Sequence, residues 1–143
     1  MRVALEEAVL AFSEKEVPVG AVLIGGSGCL LSKAHNKRES LQDPTAHAEV
    51  IVLREASKIL NTWRLSEGIL YVTKEPCIMC AGAMVNARLG RLVYGCSDPK
   101  GGAVGSLYAI LGDPRLNHHV EVVPGILEDE CSELLKRFFK SLR

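Results

Sequence analysis

Two apolar runs, Gly20 to Ile24 and Cys29 to Leu31, flank the stretch Gly25, Gly26, Ser27 and Gly28, and this arrangement constrains the fold more than any other feature. Glycines supply the positive φ that tight turns require, so the two runs are predicted to pair antiparallel as a hairpin. Ahead of them, residues 2 to 14 carry Leu5, Ala8, Val9 and Phe12 at helical spacing until Pro18 breaks the pattern. After them the elements alternate. Asp43, Pro44 and Thr45 look like a helix start, and Ala46, Val50, Leu53 and Leu60 then predict one buried stripe. Ile69 to Thr73 reads as a short buried strand, and Pro76 opens the next helix, where its missing N–H costs nothing. Leu92 to Gly95 and Val120 to Val123 are further strands on either side of a Gly-rich loop from Gly101 to Gly105, and Glu128 to Leu142 is a last helix. An antiparallel hairpin followed by alternating strands and helices implies an α/β fold of three layers, α/β/α. Its mixed five-stranded sheet is antiparallel at the start, parallel later, and covered by helices on both faces.

With 143 residues, 48% of them hydrophobic, the chain is long enough for one core and too short for two ordinary domains, so a single domain over 1–143 is expected. No apolar stretch approaches the roughly 18 residues of a membrane span, and a soluble cytoplasmic protein is expected. Seventeen basic residues balance seventeen acidic ones, so any nucleic-acid contact must be local. Five cysteines, an odd number, argue for reduced thiols, free or metal-bound.

Two motifs carry the chemistry, His47-Ala48-Glu49 and Pro76-Cys77-Ile78-Met79-Cys80. Cys77 and Cys80 lie one helical turn apart at a helix start, which favours the thiolate that a metal needs. Alone, this pair is compatible with a metal site, a thiol redox centre or plain core, with the metal site somewhat favoured. His47 and Glu49 are about 200° apart on a regular helix and can converge only beyond its end. Together, one imidazole and two thiolates are the ligand set zinc prefers, and they leave a fourth position for water, as catalytic sites do. No second spaced pair is offered by Cys29, Cys96, Cys131, His35, His118 or His119. The three cysteines among them read as small buried hydrophobes. Zinc so held brings the pKa of water to roughly 7. Glu49 beside it can take a proton from water, pass it to a ring nitrogen and then to a departing amine.

At these residues the sequence resembles the cytidine and nucleotide deaminase superfamily, whose signature is HxE followed by PCxxC. Within it, the chain is similar to the tRNA-specific adenosine deaminases almost throughout: VPVGAV from Val17, Asn36, DPTAHAE from Asp43, LYVTKEPCIMCAGA from Leu70, DPKGGAVGS from Asp98, LNHHVEV from Leu116 and the GILEDECSELLKRFFKSLR ending. Two positions depart from that pattern, Ser97 where a basic residue is more usual and Lys74 where an apolar one is. The resemblance implies a cytidine deaminase-like fold, one Zn2+ per subunit on His47, Cys77 and Cys80, and proton transfer by Glu49. It implies conversion of adenosine to inosine at the wobble position of a tRNA anticodon stem-loop, by a homodimer. Asn36 and Ala48 would meet the target base, Asp98 and Lys100 the flanking nucleotides, and Arg137, Phe138 and Phe139 further RNA. Phe138 and Phe139 point about 100° apart, so at least one belongs to the core. Two rival readings stand beside this one, a deaminase of free guanine or cytosine and a thiol redox protein using Cys77 and Cys80.

Overall fold

A computed structural model describes the whole chain, Met1–Arg143. Its order is α1 (Arg2–Ser13), β1 (Gly20–Ile24), β2 (Leu30–His35), α2 (Arg38–Leu41), α3 (Ala48–Leu60), β3 (Ile69–Lys74), α4 (Ile78–Asn86), β4 (Arg91–Cys96), a 3₁₀ turn (Ile110–Gly112), β5 (Glu121–Val123) and α5 (Glu128–Ser141). The strands form one sheet in the order β2-β1-β3-β4-β5. β1 pairs antiparallel with both β2 and β3, whereas β3, β4 and β5 run parallel. Helices α3 and α4 cover one face, and α1 and α5 cover the other, giving the expected α/β/α layering.

The core lies chiefly between the sheet and the α3–α4 layer, where Leu23, Leu70, Leu92, Val52, Met84, Leu89 and Leu111 are essentially fully buried. Burying each such side chain contributes roughly 1.5–3 kcal/mol. On the opposite face α1 approaches the sheet through Ala4, Ala8 and Ala11, all fully buried. A Cβ on Gly20 would stand 2.0 Å from the Ala4 carbonyl, so only glycine permits this close approach of helix to strand.

Several boundaries differ from the sequence expectation for identifiable reasons. The second hairpin strand begins at Leu30 and runs to His35, so Cys29 belongs to the turn and is exposed rather than buried. Cys96 and Cys131 are buried as expected. Asp43 does not start a helix. Its Oδ1 accepts the Thr45 N–H at 2.8 Å and the Thr45 hydroxyl at 2.7 Å, and the resulting turn delays α3 until Ala48. The stripe shifts with it: Ala48, Glu49, Val52, Leu53 and Ala56 are buried, Val50 is half-buried and Leu60 is exposed. Pro76 lies before α4 rather than in its first turn, and Cys77 is the N-cap. Sequence reading missed α2, whose four residues are too few for any periodicity to register. No helix is long and apolar enough to cross a membrane.

Candidate active site

The antiparallel entry of β1 brings its start to the same edge of the sheet as the ends of β2, β3 and β4. Chain segments leaving that edge build one cleft, as is usual beyond the carboxyl ends of parallel strands. Val17 and Val19 lead into β1, Asn36 and Arg38 follow β2, Lys74 ends β3 with Glu75 and Cys77 after it, and Asp98 follows β4. His47, Ala48 and Glu49 enter from the head of α3, and Phe139 closes the cleft from α5.

Both motifs converge through the same local device. His47 is the N-cap of α3 with φ −76° and ψ 148°, and Cys77 is the N-cap of α4 with φ −77° and ψ 177°. An extended N-cap turns its side chain across the helix end, where the first backbone N–H groups are unpaired. His47 Nδ1 lies 3.6 Å from Cys77 Sγ and 3.5 Å from Cys80 Sγ. Metal bonds of about 2.0 Å to nitrogen and 2.3 Å to sulfur, at a tetrahedral angle, require a nitrogen–sulfur separation of roughly 3.5 Å. The ligand atoms of the three residues lie within 4.8 Å of one another, and no other His, Cys, Asp or Glu joins the group. The donor set and its spacing therefore fit zinc with one position left for water.

The other histidines and cysteines are engaged or distant. His35 lies between two carboxylates, Nδ1 at 2.8 Å from Glu7 and Nε2 at 2.9 Å from Glu14. The imidazole nitrogens of His118 and His119 meet backbone carbonyls of Leu89 and Asp113.

Electrostatics at the site follow from burial and proximity. The Cys77 thiol is held low by hydrogen bonding with Cys80 first and with His47 next, against the opposing effect of burial. Cys80 moves the opposite way, pushed up by its bond to Cys77 and by burial, because the two sulfurs share one proton. His47 is raised, chiefly by Cys77. Glu49, 4% exposed, is raised by burial.

Asn36 is 7% exposed and lines the cleft, and its Oδ1 is the one buried side-chain oxygen or nitrogen of the chain with no hydrogen-bond partner. An unpaired buried acceptor costs about 1–3 kcal/mol, so its retention points to a ligand that satisfies it. Fully buried Ala48 also lines the cleft. Asp98 faces it from a salt bridge, its Oδ2 at 2.7 Å from Lys74 Nζ. Burial pushes the Asp98 carboxyl up, but Lys74 and the amides of Lys100 and Gly101 outweigh it and hold the group below the usual range.

The remaining RNA candidates separate. Lys100 is exposed on the loop outside the cleft lining, with its N–H donating to Asp98 Oδ1 at 3.1 Å. Phe139 is half-exposed in the cleft. Phe138 instead belongs to the core against Phe12, and Arg137 lies in the groove between α1 and α5 with its guanidinium over the Phe12 ring. The expectation of RNA contact is thereby corrected for Phe138, because a helix presents adjacent residues to different surfaces. Sequence reading missed Arg38, Lys74 and Glu75 as cleft residues; the unusual lysine at 74 was the one available signal.

Comparison with known proteins agrees with this geometry. The MafB19-like deaminase family model matches residues 1–143. The tRNA-specific adenosine deaminase of Bacillus subtilis (strain 168) is 50% identical over 143 residues, covering 100% of this chain and 88% of the relative. The chain belongs to the tRNA-specific adenosine deaminase family. A second member of that family, from Aquifex aeolicus (strain VF5), is also 50% identical, over 100% of this chain and 93% of its own. A solved structure from studies of A-to-I editing by tRNA:A34 deaminases at the wobble position superposes with a TM-score of 0.91. Its identity is 45%, over 94% of this chain and 97% of that one. A guanine deaminase from Bacillus subtilis is more distant, with a TM-score of 0.65 and 27% identity over 99% of this chain and 90% of its own. The deaminase assignment leaves the pair Cys77 and Cys80 as part of a His/Cys/Cys site, not a redox couple.

Proposed function

We propose that this chain, as one deaminase domain over residues 1–143, converts adenosine to inosine at the wobble position of a tRNA anticodon loop, consuming water and releasing ammonia. One observation carries this reading: a buried carboxyl, Glu49, and an unpartnered amide oxygen, Asn36 Oδ1, share a cleft with three residues spaced as zinc ligands. The tRNA-specific adenosine deaminase relatives, at 50% identity over the full chain, support the choice of substrate.

His47, Cys77 and Cys80 would hold one zinc per subunit, and that ion would supply the Lewis acid that makes water nucleophilic near neutral pH. Glu49 takes one proton from the attacking water and delivers it to the purine ring nitrogen, where inosine keeps it, and then carries the second proton of that oxygen to the departing amine, which leaves as ammonia. Its place in the cleft beside the three ligand residues, and the burial that raises its carboxyl, support this role. Asn36 Oδ1 accepts a hydrogen bond from the flipped-out nucleoside, and Ala48 walls the pocket. An anticodon loop presents unstacked bases, so the cost of extruding one is smaller than in a duplex. Asp98, Lys100 and Phe139 meet flanking nucleotides.

The protein acts in the cytoplasm, where its tRNA substrate is found, and as a homodimer. Supporting dimerisation, the outer face of α3 and α4 leaves Val50, Ala83 and Ala87 half-buried beside Trp63, which is 55% exposed. Sedimentation at micromolar concentration tests the dimer.

Incubation with an anticodon stem-loop carrying A at the wobble position, and separately with free adenosine, guanine and cytosine, tests the substrate. Inosine from the stem-loop alone is expected; turnover of a free base with none of the RNA would replace this reading with the free-base one.

A further inference from the structure

The hydrogen bonds of the Glu75 carboxylate all run to residues 98–106 and none to His47, Cys77, Cys80 or Glu49. Glu75 is 2% exposed. Its Oε1 accepts the N–H groups of Val104 at 3.2 Å, Gly105 at 2.9 Å and Ser106 at 2.9 Å. Its Oε2 accepts the Asp98 N–H at 2.8 Å and the Ser106 hydroxyl at 2.5 Å. The loop wraps so tightly that a Cβ on Gly102 would fall 2.3 Å from the carboxylate. The preceding residue, Lys74, holds the side chain of Asp98 at 2.7 Å. Consecutive residues at the end of β3 therefore grip Asp98 by its main chain and its side chain, two and three positions before Cys77.

A buried carboxylate is costly unless every acceptor is used, and a loop needing only stability is served more cheaply by apolar packing. What five converging donors add is register, the fixed placement of one loop relative to the strand that leads into the Cys77 helix. We propose that Glu75 is a positioning residue for the substrate strand: it sets residues 98–106 against the ligand-bearing helix, so that Asp98 meets the nucleotide beside the one being deaminated. The proposal rests on the RNA reading above. All the hydrogen bonds of Glu75 are made with the loop and none with Glu49, so its effect falls on binding of the strand and not on the chemical step.

Steady-state deamination of the anticodon stem-loop by wild type, Glu75→Gln, Ser106→Ala and the double variant tests this, with zinc content measured for each. Glutamine retains an acceptor for the amides of 104–106 but places an NH2 group against the Asp98 N–H and the Ser106 hydroxyl, freeing the Asp98 end. The expected result for Glu75→Gln is a KM raised by at least about tenfold with kcat within about threefold and one zinc per chain. Ser106→Ala is expected to raise KM less, and the double variant to be no worse than Glu75→Gln, since both act on the same contact. An unchanged KM in Glu75→Gln, or loss confined to kcat together with zinc, overturns the proposal. Should Glu75→Gln fail to fold, an unchanged KM in Ser106→Ala overturns it instead. Absence of inosine with wild type would strike the RNA reading itself, whereas normal wild-type turnover with a wild-type KM in these variants strikes this proposal alone.

Discussion

Phe138 packs edge-on against Phe12, with ring centroids 5.5 Å apart and planes at 77°, and so ties the C-terminal helix to the N-terminal one. Its neighbour Phe139 turns into the cleft and is 46% exposed. The two rings should respond oppositely to removal. Phe138→Ala is expected to cost about 3–5 kcal/mol in denaturant unfolding. Phe139→Ala should stay within about 1 kcal/mol of wild type in stability. A lost base-stacking contact of about 1–3 kcal/mol would raise its KM for the stem-loop at least fivefold. Reversed phenotypes would show that the cleft-facing ring is not the one that meets RNA.

Glu49→Gln preserves shape while removing the proton carrier, so kcat should fall by about 10² to 10⁴ with zinc still present at one per chain. Chelation of wild type makes the complementary test. Activity and melting temperature should both drop, because three ligands pin the heads of α3 and α4 together, and both should return on adding zinc. Turnover by Glu49→Gln near the wild-type rate would remove Glu49 from the mechanism.

Asn36 carries a stability cost that its function offsets. Replacing it with Ala removes the unsatisfied Oδ1, so unfolding free energy should change by no more than about 1 kcal/mol in either direction. Loss of the substrate hydrogen bond should lower kcat/KM by about tenfold or more. A strongly destabilised but catalytically normal Asn36→Ala would assign the residue to structure alone.

The contact between His35 and Glu14 gives a pH dependence away from the active site. Hydrogen bonding to His35, first among its causes, holds the Glu14 carboxyl below its ordinary value of 4.5. A carboxyl depressed in the folded state stabilises above its unfolded pKa, and that contribution disappears as pH falls through the folded value. Urea midpoints measured from pH 7 down to about 3 should therefore show a stability gap between wild type and Glu14→Gln that is constant above pH 5 and closes in acid. A constant gap across the whole range would mean that ionisation of Glu14 contributes nothing to stability.

Much of the site could be read in the chain because its residues sit in short local motifs. His47 and Glu49, and likewise Cys77 and Cys80, are fixed relative to each other by a single helix end, so spacing alone restricts them to a common target. Asn36, Asp98 and Phe139 were nominated only through resemblance, since each reaches the cleft from a different strand or helix. Lys74 and Glu75 illustrate the remainder. Their partners lie 24 and up to 31 positions away in the chain, and no periodicity announces a carboxylate that will be wrapped by a loop.

Sequence alone determined the layer order, the antiparallel start of the sheet, and the pairing of an imidazole with two thiolates and a carboxylate, because these depend on turn chemistry, apolar spacing and donor type. Tertiary structure alone decided that both ligand motifs are N-caps opening onto one edge of the sheet, that Phe139 and not Phe138 faces the cleft, and that Asn36 keeps an unpaired oxygen. Those outcomes depend on which surface each element buries, and burial is settled only when the layers close on one another.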